Sequence, residues 1–240
     1  MANLEPLIQS IPVAPLKLAS LEGCRTLADQ VNNYLVSFRH ESPTNVGQAD
    51  SLQGYCADSY LLECECPRFG SGEGKGVLKE SVRGCDLFIM VDVTNYSLTY
   101  RVNGYENHMS PDNHYQDLKR IISAADGKAR RINVIMPFLY EGRQHKRSKR
   151  ESLDCALMLQ ELVDMGVSNI LTFDAHDPRV SNSIPLHGFD SFMPTYQFLK
   201  ALVNSVPDFV IDNDHLMIIS PDEGAMGRAV YFSNILGVDM

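Results

Sequence analysis

Three short apolar runs, LFIMVDV (Leu87–Val93), INVIMPF (Ile132–Phe138) and ILTFDA (Ile170–Ala175), constrain the fold of this chain more than any other feature. Each is rich in β-branched and aromatic residues and too short for a buried helix, so each reads as a strand covered on both faces. The segments between them, His114–Ala125 and Ser152–Met165, carry apolar residues at helical spacing. A glycine follows each helix shortly before the next strand, as helix-to-strand connections often have. Strands alternating with helices in this way predict an α/β fold with a doubly wound parallel sheet.

The flanking segments extend the pattern. Leu27, Val31, Tyr34 and Leu35 place one apolar stripe on a first helix from Gly23 to about Phe38, and residues 40–54 read as a polar loop. YLLECEC (Tyr60–Cys66) reads as a strand ending at Pro67, and the glycines of RFGSGEGKG after it dictate a loop. Beyond Ile184 the pattern restarts with a helix over Thr195–Val203, a strand LMIIS (Leu216–Ser220), the turn PDEGAMGRA and a helix to about Leu236. Residues 1–193 are therefore expected to form one complete domain and residues 194–240 the incomplete start of a second.

With 44% apolar and 21% charged residues, and no apolar run approaching the roughly 20 residues a bilayer requires, a globular, soluble, cytoplasmic protein is expected. The six cysteines lack C-x-x-C spacing and read as reduced core thiols, although Cys64 and Cys66 would share a strand face as a metal half-site would. A net charge of -9 argues against general nucleic-acid binding. Against that acidic background, RQHKRSKR (Arg143–Arg150) concentrates five lysines and arginines in eight residues, a local field suited to a compact anion.

In open α/β sheets ligands collect where strands end, and three loops there are chemically loaded. Arg143, Gln144 and the basic run offer guanidinium forks and ammonium charges for polyphosphate; the alternative is a solvated basic face. His176, with Asp174 and Asp177 beside it, can meet a metal or a phosphate, although a lone histidine is more often structural. Asp222 precedes a helix opened by a glycine, where its carboxylate either faces magnesium or caps the helix. Phe69 offers a ring on which an adenine can stack, and Glu73 can accept a hydrogen bond from a base or sugar. Neither a Walker-type phosphate loop nor a dinucleotide fingerprint is present.

Four stretches, in order, resemble the motifs of the ribose-phosphate pyrophosphokinases: RFGSGEGKGVLKESVRG, INVIMPFLYEGRQHKR, FDAHDPRV and IISPDEGAMGRA. The resemblance runs with gaps from about Pro67 to Leu236. It implies a phosphoribosyltransferase-like fold and transfer of diphosphate from Mg2+-bound ATP to ribose 5-phosphate, giving phosphoribosyl pyrophosphate and AMP. By the same resemblance Phe69 and Glu73 bind adenine across a subunit boundary in a homo-oligomer, Arg143 and Gln144 hold ATP, and His176 and Asp222 organise the magnesium complex, His176 as the catalytic residue.

Departures accompany the resemblance. Ser71 stands where the family has aspartate, and His145 where aspartate commonly follows Arg-Gln. The first 60 residues and the stretch Tyr96–His114 match poorly. The family's lysine-arginine loop and its acidic ribose-phosphate loop would lie beyond Met240, so this chain alone is not expected to turn over. The rival readings are a non-catalytic regulatory partner of an active synthetase, a purine-salvage phosphoribosyltransferase, whose acidic pair is absent, and a simple anion-binding module.

Overall fold

A computed structural model describes residues 14–41 and 54–240. The polar loop expected over residues 40–54 therefore lies mostly outside the described residues; His40 and Glu41 close the first helix. In chain order the elements are β1 (Leu16–Ser20), α1 (Arg25–Glu41), β2 (Leu61–Leu62), β3 (Cys64–Glu65), β4 (Val77–Leu78), β5 (Asp86–Met90), β6 (Thr99–Val102) and β7 (Tyr105–His108). They continue with α2 (Pro111–Ala124), β8 (Arg131–Met136), α3 (Asp154–Asp164), β9 (Val167–Phe173), β10 (Gly188–Phe192), α4 (Thr195–Ser205) and α5 (Met226–Leu236). The chain divides into two compact units after Phe192.

The first unit is built on a six-stranded sheet in the order β10-β9-β8-β5-β1-β2, with every neighbouring pair parallel. Alternate residues of one strand serve opposite faces of the sheet. Leu87, Ile89, Val134, Met136 and Ile170 pack with Leu118 and Ile121 of α2 and Leu159 and Leu162 of α3. On the other face Leu18 and Met90 pack with Ala28 of α1. Helices on both faces explain why the central strands are almost continuously apolar, and each fully buried aliphatic side chain contributes about 1.5–3 kcal/mol.

Local chemistry sets the element boundaries. α2 starts where Ser110 accepts a 3.3 Å hydrogen bond from the Asn113 amide and Pro111 takes the first helical turn, where its missing N–H costs nothing. Tyr60–Cys66 reads as one strand but forms two: Leu61 and Leu62 extend the parallel sheet beside β1, whereas Cys64 and Glu65 pair antiparallel with β4. The strand expected over Leu216–Ser220 is not formed. No strand occurs among the described residues of the second unit, so an extended segment there has no ladder to join. Ile218 instead donates to the Asp239 carbonyl at 2.9 Å.

A polar ladder crosses three central strands near their starts. Asp86 of β5 accepts from Arg131 Nε at 3.1 Å and from Asn133 Nδ2 at 2.9 Å, and Asn133 Oδ1 accepts from Asn169 Nδ2 at 2.6 Å. The pairing of β8 with β9 shifts register between Ile132 and Asn133, so Ile132 faces Val167 while Asn133 faces Asn169. A short antiparallel hairpin, β6–β7, projects between β5 and α2 and turns at Asn103 and Gly104, whose φ angles of 50° and 87° suit the Asn-Gly pair.

Candidate functional site

The loop after β8 is held down before it presents its polar residues. Tyr140 stacks on Tyr115 of α2 with ring centroids 4.6 Å apart, and its hydroxyl donates to Asp112 at 2.6 Å. Tyr115 in turn donates to Glu161 of α3 at 2.7 Å. Burial first, and then these carboxylates, pushes both phenols well above their ordinary range, so they remain protonated donors. The loop then turns sharply: Glu141 has φ 54°, and the Gln144 amide donates to the Glu141 carbonyl at 2.8 Å. Arg143 and Gln144 emerge exposed from this turn. Arg143, Lys146, Arg147, Lys149 and Arg150 make no ion pairs among the described residues, which leaves their charge available to an anion.

The loop after β9 lies beside it because β8 and β9 are sheet neighbours. Asp174 takes a left-handed φ of 41° and donates its amide to Phe192 at 2.9 Å, while the Ala175 amide donates to Ser191 Oγ at 2.9 Å. Both bonds tie the loop to the end of β10, and His176 follows, exposed. Asp177 caps the short helical turn Pro178–Ser183, accepting from the Arg179 amide and Nε at 2.9 Å each. Hydrogen bonds from Arg179, with a smaller contribution from His145, hold the Asp177 carboxyl well below the usual carboxylate range.

His145 joins the two loops. Its Nε2 lies 3.6 Å from Asp177 Oδ2, and its ring centroid lies 5.0 Å from that of His176. The structure thus brings Arg143, Gln144 and His176 to one edge of the sheet, and the residue that joins them is His145, one of the two departures from the family motifs.

Phe69 and Glu73 sit on a separate loop, closed on itself by backbone bonds. Phe69 donates its amide to the Glu73 carbonyl at 2.8 Å, and the Gly72 amide donates to the Phe69 carbonyl at 2.9 Å. Phe69 is 57% exposed, a large apolar ring presented to solvent. The second departure has a local purpose: Ser71 Oγ donates to Glu73 Oε2 at 2.8 Å and orients that carboxylate, which an aspartate at the same place would repel. The loop is rooted by Arg68, whose guanidinium donates twice to Asp117 of α2, at 2.6 and 2.7 Å, while Arg120 donates to the same carboxylate at 2.6 Å. A pocket of about 450 Å³ opens beside this root, lined by Leu21, Arg25, Arg68, Leu98, Tyr100 and Met109 among others.

Asp222 belongs to the second unit. Its Oδ1 accepts from the Ala225 amide at 2.8 Å, a bond within the turn ahead of α5, whose N-cap is Ala225 and has no side-chain cap bond, so the carboxylate does not cap the helix. Among the described residues no three histidine, cysteine or acidic side chains converge to cage a metal. Cys64 and Cys66 instead donate to the Ser20 and Asp117 carbonyls, and burial pushes their thiols up to about 11 and about 12.

Comparison with known proteins decides the family. The model for the N-terminal domain of ribose phosphate pyrophosphokinase matches residues 16–166. The chain belongs to the ribose-phosphate pyrophosphokinase family. The match begins at residue 16, well before Pro67, so the early part of the chain that lacks recognisable motifs belongs to the family as well. The ribose-phosphate pyrophosphokinase of Staphylococcus epidermidis is 28% identical over 180 residues, covering 73% of this chain and 50% of that protein. The Corynebacterium ammoniagenes enzyme is 27% identical over 220 residues, covering 89% and 55%. The phosphoribosylpyrophosphate synthetase of Mycobacterium smegmatis superposes with a TM-score of 0.69 at 22% identity over 93% of this chain and 61% of that one, which supports the phosphoribosyltransferase-like fold. This pyrophosphokinase-family chain spans about half the length of the curated relatives it matches.

Proposed function

We propose that the chain contributes the nucleotide side of a ribose-phosphate diphosphokinase, which transfers diphosphate from magnesium-bound ATP to ribose 5-phosphate and yields phosphoribosyl pyrophosphate and AMP. The observation that carries this reading is the convergence of the Arg143–His145 and His176–Asp177 loops at the ends of two adjacent parallel strands. Arg143 and Gln144 hold phosphate oxygens, His176 orients the diphosphoryl group as the catalytic residue, and His145 sets the distance between the loops. Phe69 stacks on the adenine and Glu73 accepts from the base or sugar, in a pocket shared between subunits of a homo-oligomer. By the family resemblance Asp222, in the second unit, is a further candidate to hold magnesium, which would supply charge neutralisation on the polyphosphate when bound. The first domain, residues 1–193, carries the ATP loops; residues 194–240 begin the second.

Catalysis of this kind depends on positioning and electrostatics, and needs no protein nucleophile. No observation above favours a non-catalytic regulatory partner. No helix among the described residues is long and apolar enough to cross a membrane, and the site we assign acts on soluble metabolites of the cytoplasm. Calorimetric titration of the chain with ATP, with and without magnesium, tests the reading. Magnesium-dependent binding that weakens at least tenfold in Arg143→Ala and in His176→Ala is expected. ATP affinity that is equal in wild type and both variants would remove the assignment.

A further inference from the structure

We infer that the β6–β7 hairpin is a clamp that fixes the conformation of the loop carrying Phe69 and Glu73; its effect on nucleotide affinity rests on the adenine reading given above. The hairpin is anchored at its base. Asn95 donates to the Gly23 carbonyl at 3.3 Å, buried His114 of α2 holds the Asn95 carbonyl through Nε2 at 2.7 Å, and Tyr96 stacks on His108 with centroids 4.5 Å apart. The ends of the two strands are tied by the Met109 amide donating to Leu98 at 2.8 Å.

From this base the hairpin turns one face onto the loop. Tyr100 and Val102 alternate with exposed Thr99 and Arg101, so the inward face carries the aromatic and the aliphatic residue. The Tyr100 ring lies 5.3 Å from the Arg68 guanidinium carbon, in cation–π contact. Val102 crowds Gly72, where a Cβ atom would come within 3.0 Å of Val102 Cγ2. At the tip, the Asn103 amide donates to the Gly70 carbonyl at 3.1 Å. The loop is thus gripped at Arg68, Gly70 and Gly72, three points that alternate with Phe69 and Ser71. A glycine-rich segment held this way presents Phe69 in one orientation, which reduces the ordering cost of stacking a base on it.

The test uses the 240-residue chain with Val102→Ala, Tyr100→Ala and, on the outward face, Arg101→Ala. Hydrogen exchange of the peptide over residues 69–76 is expected to accelerate on the order of tenfold in the first two variants and not in the third, with peptides of β5 and β8 unchanged. Equal exchange in all four proteins overturns the clamp. If Val102→Ala also loosens the core strands, Tyr100→Ala, which leaves the Gly72 contact intact, decides. A second arm separates the clamp from the adenine assignment. Affinity for magnesium ATP should fall roughly tenfold in the inward-face variants while affinity for inorganic tripolyphosphate stays within about twofold. Accelerated exchange with unchanged ATP affinity would leave the clamp standing and remove Phe69 and Glu73 from the nucleotide site.

Discussion

Replacing Asp117 with alanine tests whether the root of the glycine-rich loop is a buried ion pair in the energetic sense. The Asp117 side chain is 6% exposed and that of Arg68 9%, and the carboxylate accepts three hydrogen bonds from two guanidinium groups. Asp117→Ala removes all three and leaves the Arg68 guanidinium buried without a counter-charge, a change that typically costs about 3–5 kcal/mol. Arg120, 22% exposed, can turn to water and adds little to that figure. For a folding unit of this size each kilocalorie lowers the melting temperature by about 2–4 °C, so a loss of roughly 6–20 °C is expected. Urea unfolding followed by far-UV circular dichroism should show a lower midpoint at an unchanged slope. The pair Arg68→Met with Asp117→Leu should recover most of the loss, because apolar isosteres remove the desolvation cost together with the attraction. A loss below about 1 kcal/mol in Asp117→Ala would show that water reaches the pair, and the root would then be an ordinary surface bridge.

Gly76→Ala should destabilise the first unit by about 1–3 kcal/mol in the same urea assay, because an added Cβ would sit 2.4 Å from the Arg120 carbonyl oxygen and the backbone must yield. Cys56, the exposed thiol, should react with iodoacetamide at pH 8 well before Cys24, Cys64, Cys66 and Cys155, whose burial holds them at about 11 to about 12, and mass spectrometry of timed samples reads the order. Asp177→Asn should lose a small stabilisation that is fully present above pH 3.8, the ordinary carboxylate value, since folding lowers this group's pKa. Below that pH the two proteins should converge as the wild type protonates; a stability gap that widens in acid would mean that Arg179 does not hold the carboxylate.

The central strands are legible because burial on both faces makes their runs continuously apolar, but their ends are not. Val91 and Val93 are buried in the core although ladder pairing along β5 stops at Met90, so hydrophobicity outlasts the strand. Leu216–Ser220 has the composition of a strand and lacks a neighbour to pair with, a property no window of residues contains. The hairpin is written in mixed polar residues, and only Asn103-Gly104 marks it. The loops after β8 and β9 can be found because they follow strands, whereas the position of His145 between them follows from the lateral adjacency of β8 and β9. Arg68 and Asp117 lie 49 residues apart, and nothing local to either indicates the other.

The ladder from Asp86 through Asn133 to Asn169 has a consequence at the opposite edge of the sheet. Because β9 carries one extra residue below Asn169, every later residue of that strand is set one step further along than an even pairing with β8 would give. Without that residue each side chain from Ile170 to Phe173 would exchange faces, and Asp174 and His176 would leave the sheet pointing the other way. The asparagine contact rewards only the shifted alignment, since a slip by one position would part Asn169 from the side-chain oxygen of buried Asn133. The distance between the loops after β8 and β9 is therefore gauged at the far end of the sheet, by side chains that belong to neither loop.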